Sequence, residues 1–390
     1  MDPIDKDCLK QIDNLLGSNQ QSWLFGAGIS KGANIPLMDA LTYRIFSIAD
    51  RDDKKAKKTL DAIKAQLPER AHIEHILSHL GDYAAMAERS RDQKAHIGAD
   101  DLSLHDLQEL HGKILRWIAD TIRWGYIQLV GENPERIGTR EGSLVSIDAH
   151  LQFVSALFHR NQAGLIDRRS AVRFFTINYD TLLEDALSLS SLSHWDGFAG
   201  GAVAYRSYRY GQDVPETAYR AHIVKLHGSI DWHLSDDDRL YRIREGDNYP
   251  KSSSPVLIYP QSTKYLATQR DPFSSQFDLF RRALASPTEN VLSICGYSFG
   301  DEHINQEIEL ALHRGENRTT ILAFSPSIGD VLKKWQKLPW ANRLYVISEP
   351  GIFVGPSGPF FPPPEGTKRD WWTFAGVTRI LTAGAESFVV

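Results

Sequence analysis

Cysteine is almost missing from this chain: two in 390 residues, Cys8 and Cys295, far apart in sequence. One pair cannot build a disulfide framework or a four-ligand zinc ribbon, and a reduced, cytoplasmic setting fits. Long apolar runs are missing too. Nowhere do roughly 18 uninterrupted apolar residues occur, as a spanning helix needs. Residues Met1–Gln21 carry Asp2, Asp5 and Asp7 and lack the apolar centre of a signal peptide. A soluble protein with no membrane partner is expected. Surplus positive charge is also lacking. Against 49 acidic residues stand 44 Lys and Arg, a formal net charge of −5, so no direct nucleic-acid binding is expected. No internal repeat of about 20–50 residues is present.

What is present is an ordinary globular composition on a chain long enough for a large core and an insertion. Short apolar runs rich in β-branched residues recur at 22–25, Val172–Ile177, His222–Leu226, Pro255–Tyr259, Val291–Cys295, Thr320–Phe324 and Leu344–Ile347. They read as strands covered on both faces. Helical patterns lie between several of them, at Asp180–Leu189, Gln276–Ala285 and Asp301–Arg314. The alternation predicts an α/β fold: a Rossmann-like, mostly parallel sheet with helices on both faces. From Asp50 to Glu141 no strand stands out. Ile73, Ile76, Leu77 and Leu80 form one helical stripe, and Leu107, Leu110, Ile114, Ile118 and Ile122 another. The expected organisation is a discontinuous sheet domain over 1–50 and 142–349, a helical insertion at 51–141, and a tail at 350–390. The tail, rich in Pro and Gly and carrying Trp371, Trp372 and Phe374, is expected to hold little regular structure and to dock on a neighbouring subunit.

Four motifs follow expected strands, where open α/β sheets bind ligands. Gly26-Ala27-Gly28-Ile29-Ser30, continuing to Ile35-Pro36, reads as a tight turn into a helix whose free N–H groups face a phosphate. Lys31 stands where a third glycine would complete the dinucleotide fingerprint, so the motif alone equally reads as a plain strand-to-helix turn. Thr176-Ile177-Asn178-Tyr179-Asp180 sets an amide and a carboxylate two residues apart at a strand end. Asp180 is also well placed to cap the next helix. Lys225-Leu226-His227-Gly228-Ser229 offers an imidazole suited to accepting a proton. Gly296-Tyr297-Ser298-Phe299-Gly300-Asp301 is a second glycine-rich exit, with Asp301 capping a helix or holding a ribose.

Taken in order, these motifs resemble the sirtuin superfamily, and their wording (TINYD, KLHGS, GYSFGDEHI) is most similar to the bacterial sirtuin-like domains of anti-phage defence. The resemblance implies hydrolysis of NAD to nicotinamide and ADP-ribose. It implies that Gly26, Ala27, Gly28, Ser30 and Ile35 line the NAD site and that Thr176, Asn178 and Asp180 stand near the nicotinamide and its ribose. His227 and Gly228 would lie near the ribose hydroxyls, and Gly296, Ser298 and Asp301 near the adenosine half. Asn178, His227 and Asp180 are the expected catalytic residues: Asn178 positions water or the carboxamide, and His227 accepts a proton. The departures are informative. Two cysteines cannot form the zinc module of protein-deacylating sirtuins, so no zinc is expected and NAD is the substrate. Leu37-Met38-Asp39 replaces their acidic–aromatic–basic triplet, and Ile177 replaces a glutamine. Hydrolysis is therefore favoured over deacylation.

By the same resemblance the protein is an effector that depletes NAD in abortive infection, forms a homo-oligomer, and at this length relies on a partner for sensing, a HerA-type DNA translocase ATPase. The alternatives are an idle NAD or ADP-ribose sensor, and a protein deacylase or ADP-ribosyltransferase. His72, His75 and His79 share a helical side but lack the acidic neighbour of a metalloprotease motif, so no metal is expected there. The lysines at 54, 55, 57 and 58 read as a solvated helix face, and the Trp371–Trp372 pair as a packing anchor.

Overall fold

The computed structural model describes residues 3–128, 134–160, 171–209, 211–215, 218–235, 239–244, 254–257 and 272–388. Its largest sheet has nine strands. They are β1 (Gln21–Phe25), β2 (Val172–Thr176), β3 (His194–Trp195), β4 (Ala221–Lys225), β5 (Asn290–Cys295), β6 (Thr319–Phe324), β7 (Leu344–Ser348), β8 (Gly351–Val354) and β9 (Ser357–Phe360). Their spatial order is β3-β4-β2-β1-β5-β6-β7-β8-β9. Every neighbouring pair from β3 to β7 is parallel, and β8 and β9 add antiparallel strands at one edge.

The apolar runs are continuous because both faces of this sheet are covered. Alternate residues of one strand enter different cores. Trp23 and Phe25 of β1 pack with helices Pro3–Leu16, Asp148–Arg160, Leu182–Leu189 and Phe374–Ala383. Leu24, between them, packs with helices Phe273–Leu284, Glu302–Leu312 and Asp330–Trp335 on the opposite face. The same division holds in β5, where Val291 and Cys295 face one layer and Leu292 and Ile294 the other. This is a mostly parallel, Rossmann-like α/β sheet flanked by helices.

Between β1 and β2 lies a separate helical core built by Met38–Asp52, Lys54–Lys64, Ile73–Arg89 and Leu104–Trp124. Both expected apolar stripes are buried there. The segment expected to lack strands nevertheless holds a hairpin, Lys94–Ile97 with Asp100–Ser103, and a two-residue pairing of Tyr126–Ile127 with Arg136–Ile137. Ala95, Ile97 and Leu102 are the hairpin's buried positions, too few for an alternating pattern to stand out.

A second, antiparallel sheet of five strands runs Ser254–Leu257, Gly228–Leu234, Leu240–Ile243, Val203–Arg206, Phe198–Gly200. It corrects the expectation for Pro255–Tyr259. Residues 254–257 form an edge strand here, antiparallel to Gly228–Leu234, and residues 258–259 lie outside the described ones. A proline has no N–H to donate, which an edge tolerates. The tail is corrected as well. It supplies β8, β9 and helix Phe374–Ala383, and Trp371 is 1% exposed within its own chain.

Candidate active site

Cys295, Phe25, Thr176 and Lys225 stand in one row across β5, β1, β2 and β4, each paired with the next. All four motifs leave the sheet from this row or just past it, on its carboxyl side. The chain passes from β1 to β2 on one side and later returns as β5 on the other, so the β1/β5 boundary is the switch point where such sheets form a crevice.

The glycines at this boundary serve contact between two loops. A Cβ on Gly26 would stand 2.5 Å from the Gly296 carbonyl oxygen, and one on Gly28 2.7 Å from the Gly296 Cα. Gly28 N–H donates to the Gly296 oxygen at 2.9 Å. Gly296 itself has φ 68°. The expected α-helix does not follow directly. Ala27–Ile29 and Lys31–Ala33 are 3₁₀ turns, and the α-helix begins only at Met38. Asn34 at φ 63° and Pro36 interrupt the path, so no α-helix N-terminus stands at the glycines. Ile35, 8% exposed, donates its N–H back to the Ser30 oxygen.

Asn178 and Asp180 converge on Ser30. The Asn178 amide donates from Nδ2 to the Gly26 oxygen and to Ser30 Oγ, both at 3.1 Å. Ser30 Oγ donates onward to Asp180 Oδ2 at 2.7 Å. Asp180 Oδ1 accepts the Leu182 N–H at 3.1 Å, so this carboxylate also opens the following helix. Thr176 Oγ1 accepts the Asn178 N–H at 3.0 Å. Because a carbonyl oxygen only accepts, the contact with Gly26 fixes the amide's orientation. Asn178 Oδ1 then points elsewhere and, though buried, has no hydrogen-bond partner among the described residues.

His227 sits in the turn just past β4 and Asp301 in the loop after β5. Three strand spacings, roughly 14 Å, separate those strands, yet His227 Nε2 lies 3.1 Å from Asp301 Oδ2. The two side chains meet across the ends of β2 and β1. A carboxylate only accepts, so Asp301 favours a proton on Nε2, and in that tautomer of the neutral ring the lone pair is on Nδ1. Asp301 Oδ1 caps helix Glu302–Leu312 through His303 and Ile304 N–H. Gly228, at φ 84°, turns the chain directly after the imidazole. Ser298 is exposed and accepts the Gly300 N–H at 3.3 Å, and Ala27 is exposed beside the buried Gly26.

Sequence reasoning did not single out the charged interior beneath these loops. Lys225 and Glu184 are paired at 3.2 Å, their side chains 3% and 6% exposed. Burial, the largest influence, pushes the Glu184 carboxyl up, but the Lys225 ammonium, a backbone N–H and the Arg244 guanidinium together hold the group below the usual carboxylate range. Asp231, fully enclosed, is pushed up by burial. His150 is 0% exposed, neither ring nitrogen is hydrogen-bonded among the described residues, and burial pushes its imidazole down. A lysine at the end of a fully buried strand was the available signal. Of the three histidines expected to share a helical side, His72 precedes the helix as its N-cap and donates its N–H to His75 Nδ1 at 3.3 Å, and His79 is bonded to Gln66.

No curated protein matches the chain. Among solved structures, one titled as a Sir2 homolog–NAD complex is similar at a TM-score of 0.39 and 10% identity, over 83% of this chain and 84% of that one. The family described as SIR2-like domain matches residues 172–341. The matched stretch runs from β2 past β6 and carries three of the four loops, those of Asn178, His227 and Asp301, so this part of the sheet is similar to that family.

Proposed function

We propose that the protein binds NAD in the crevice at the β1/β5 boundary and hydrolyses its nicotinamide–ribose bond, releasing nicotinamide and ADP-ribose. The observation that carries this reading is the buried Asn178 Oδ1, which has no hydrogen-bond partner among the described residues. Leaving an acceptor buried without a donor costs about 1–3 kcal/mol, and a carboxamide N–H, a ribose hydroxyl or a water would each satisfy it. The match to the SIR2-like domain over 172–341 supports the choice of NAD.

In this reading Asn178 positions the water or the carboxamide, with Asp180 near the nicotinamide ribose. Nicotinamide leaves as an already activated group, so no general acid is needed. His227 accepts the proton of a ribose hydroxyl or of the attacking water at Nδ1, while Asp301 holds the ring and offsets the charge it gains. Gly26, Ala27, Gly28, Ser30, Ile35, Thr176, Gly228, Gly296 and Ser298 line the NAD site. The missing zinc module and the Leu37-Met38-Asp39 triplet support water as acceptor rather than an acyl-lysine.

The wider role is an NAD-depleting effector of anti-phage defence, oligomeric and joined to a HerA-type ATPase. Asn178, His227 and Asp301 are each less than a tenth exposed, which supports a resting site that a partner opens. The test is nicotinamide release from NAD by the protein alone and co-expressed with its operon neighbour. Turnover in either preparation, absent from Asn178→Ala and His227→Ala, is expected. Binding of ADP-ribose with no turnover in both would replace the enzyme with a sensor.

A further inference from the structure

We propose that Lys225 is a positioning residue that locks the Asn178–Asp180 turn onto the strand that leads into His227. Its ammonium donates to the backbone oxygen of Asp180 and pairs with Glu184 at 3.2 Å. Its own backbone pairs with Thr176 in the row from which both loops leave. One residue therefore spans the two halves of the site, two positions before His227.

The turn is gripped repeatedly on this side. The Tyr179 oxygen accepts Ile230 N–H at 3.0 Å and Ser229 Oγ–H at 3.3 Å, and the next carbonyl, that of Asp180, takes the lysine. On the far side Asn178 Nδ2 holds the Gly26 oxygen. Stability alone does not account for a charge pair in this place. Desolvating two ions costs several kcal/mol each, and apolar residues of similar volume often serve equally well or better. What an apolar residue cannot supply is the directed donor to the Asp180 carbonyl. The inference rests on the NAD hydrolase reading for its catalytic consequence, but the lock itself can be observed without turnover.

The test compares Lys225→Met with Lys225→Met/Glu184→Gln in the full chain, following melting temperature, kcat and KM for NAD, and amide exchange at Tyr179–Leu182. The single variant leaves Glu184 buried and unpaired and melts early. The double variant regains the melting temperature, while kcat stays about 10- to 100-fold down and KM moves by less than about threefold. Recovery of rate together with stability overturns the proposal, since a purely structural lysine predicts that result. Should the double variant fail to fold, Lys225→Met/Glu184→Met, with no charge left in the pair, carries the same comparison. Should the wild type release no nicotinamide, the hydrolase reading fails and exchange decides the lock. Faster exchange at Tyr179–Leu182 in the folded double variant, with β5 unchanged, upholds it, and equal exchange overturns it.

Discussion

His227 Nε2 stands 3.1 Å from Asp301 Oδ2, and the other oxygen of the same carboxylate accepts the N–H groups of His303 and Ile304 at 3.1 and 3.4 Å. The imidazole is thus braced by a group that is itself fixed to a helix end. Asp301→Asn keeps an oxygen for the cap, so the fold persists, but it no longer dictates which ring nitrogen is protonated. Nicotinamide release is expected to fall about 10- to 100-fold, against about 10²- to 10⁴-fold for His227→Ala. An Asp301→Asn protein with unchanged kcat would remove the carboxylate from the mechanism.

The Asn178 side chain makes a separable prediction. Asn178→Ala removes the oxygen that awaits a donor, together with the bonds to Gly26 and Ser30. We expect turnover to fall at least about 100-fold, with a smaller thermal shift on adding ADP-ribose. Undiminished stabilisation by ADP-ribose would place the ligand away from this amide.

The sequence made the strands of the site legible and left their meeting points hidden. β1, β2, β4 and β5 are buried along nearly their whole length, so each reads as a short, mainly apolar run with a polar residue such as Arg173, His222 or Ser293 inside it, and the glycine and polar motifs just after them stand out. The partnership of His227 with Asp301 depends on β4 and β5 lying on opposite sides of β1, a matter of sheet order with no local trace. Ser30 joining Asn178 to Asp180 is hidden in the same way. The second sheet escaped notice because strands such as Phe198–Gly200 are too short to show alternation. Lys225 was visible as a residue, but its role lies in the carbonyl it reaches.

The contact between the two glycine loops predicts a sharp contrast among glycines. A methyl on Gly296 would stand 2.6 Å from the Ile29 nitrogen at a φ of 68°, whereas one on Gly32 meets nothing within 4 Å. Gly296→Ala should cost about 2–4 kcal/mol in a urea melt, from crowding and backbone strain together. Gly32→Ala should change stability by less than about 1 kcal/mol. Similar midpoints for the two would show that the loops separate readily.

Acid should destabilise the fold through buried imidazoles. Burial, with Arg123 adding to it, pushes His233 down to about 4. Between that value and the ordinary one near 6.5 the unfolded chain binds a proton that the folded chain refuses. Stability is therefore complete above about pH 6.5 and declines as pH falls toward 4, by roughly 2–3 kcal/mol from this residue. Burial lowers His111, His150 and His194 as well, with the same sign. Asp185 and Asp231, raised by burial, act in the opposite sense. Urea midpoints at pH 7.5 and 5 for the wild type and His233→Gln isolate the histidine, and the variant should lose less on acidification.

The tail belongs to the core that supports β1. Trp371 donates its indole N–H to the Ser348 oxygen at 2.6 Å, at the end of β7. Phe374 packs against Phe153 at 4.9 Å between ring centroids and against Phe25 of β1 at 6.3 Å. Phe25 is the residue directly before Gly26, so the C-terminal helix supports the strand that presents the first glycine loop. Trp371→Ala should cost about 3–5 kcal/mol, as expected for deleting a buried aromatic. A tail that merely covered a neighbouring subunit would leave the monomer's unfolding midpoint unchanged on this substitution and alter only its association. Unfolding midpoints measured across a range of protein concentrations separate the two: a loss that is the same at every concentration assigns the tail to its own chain's core.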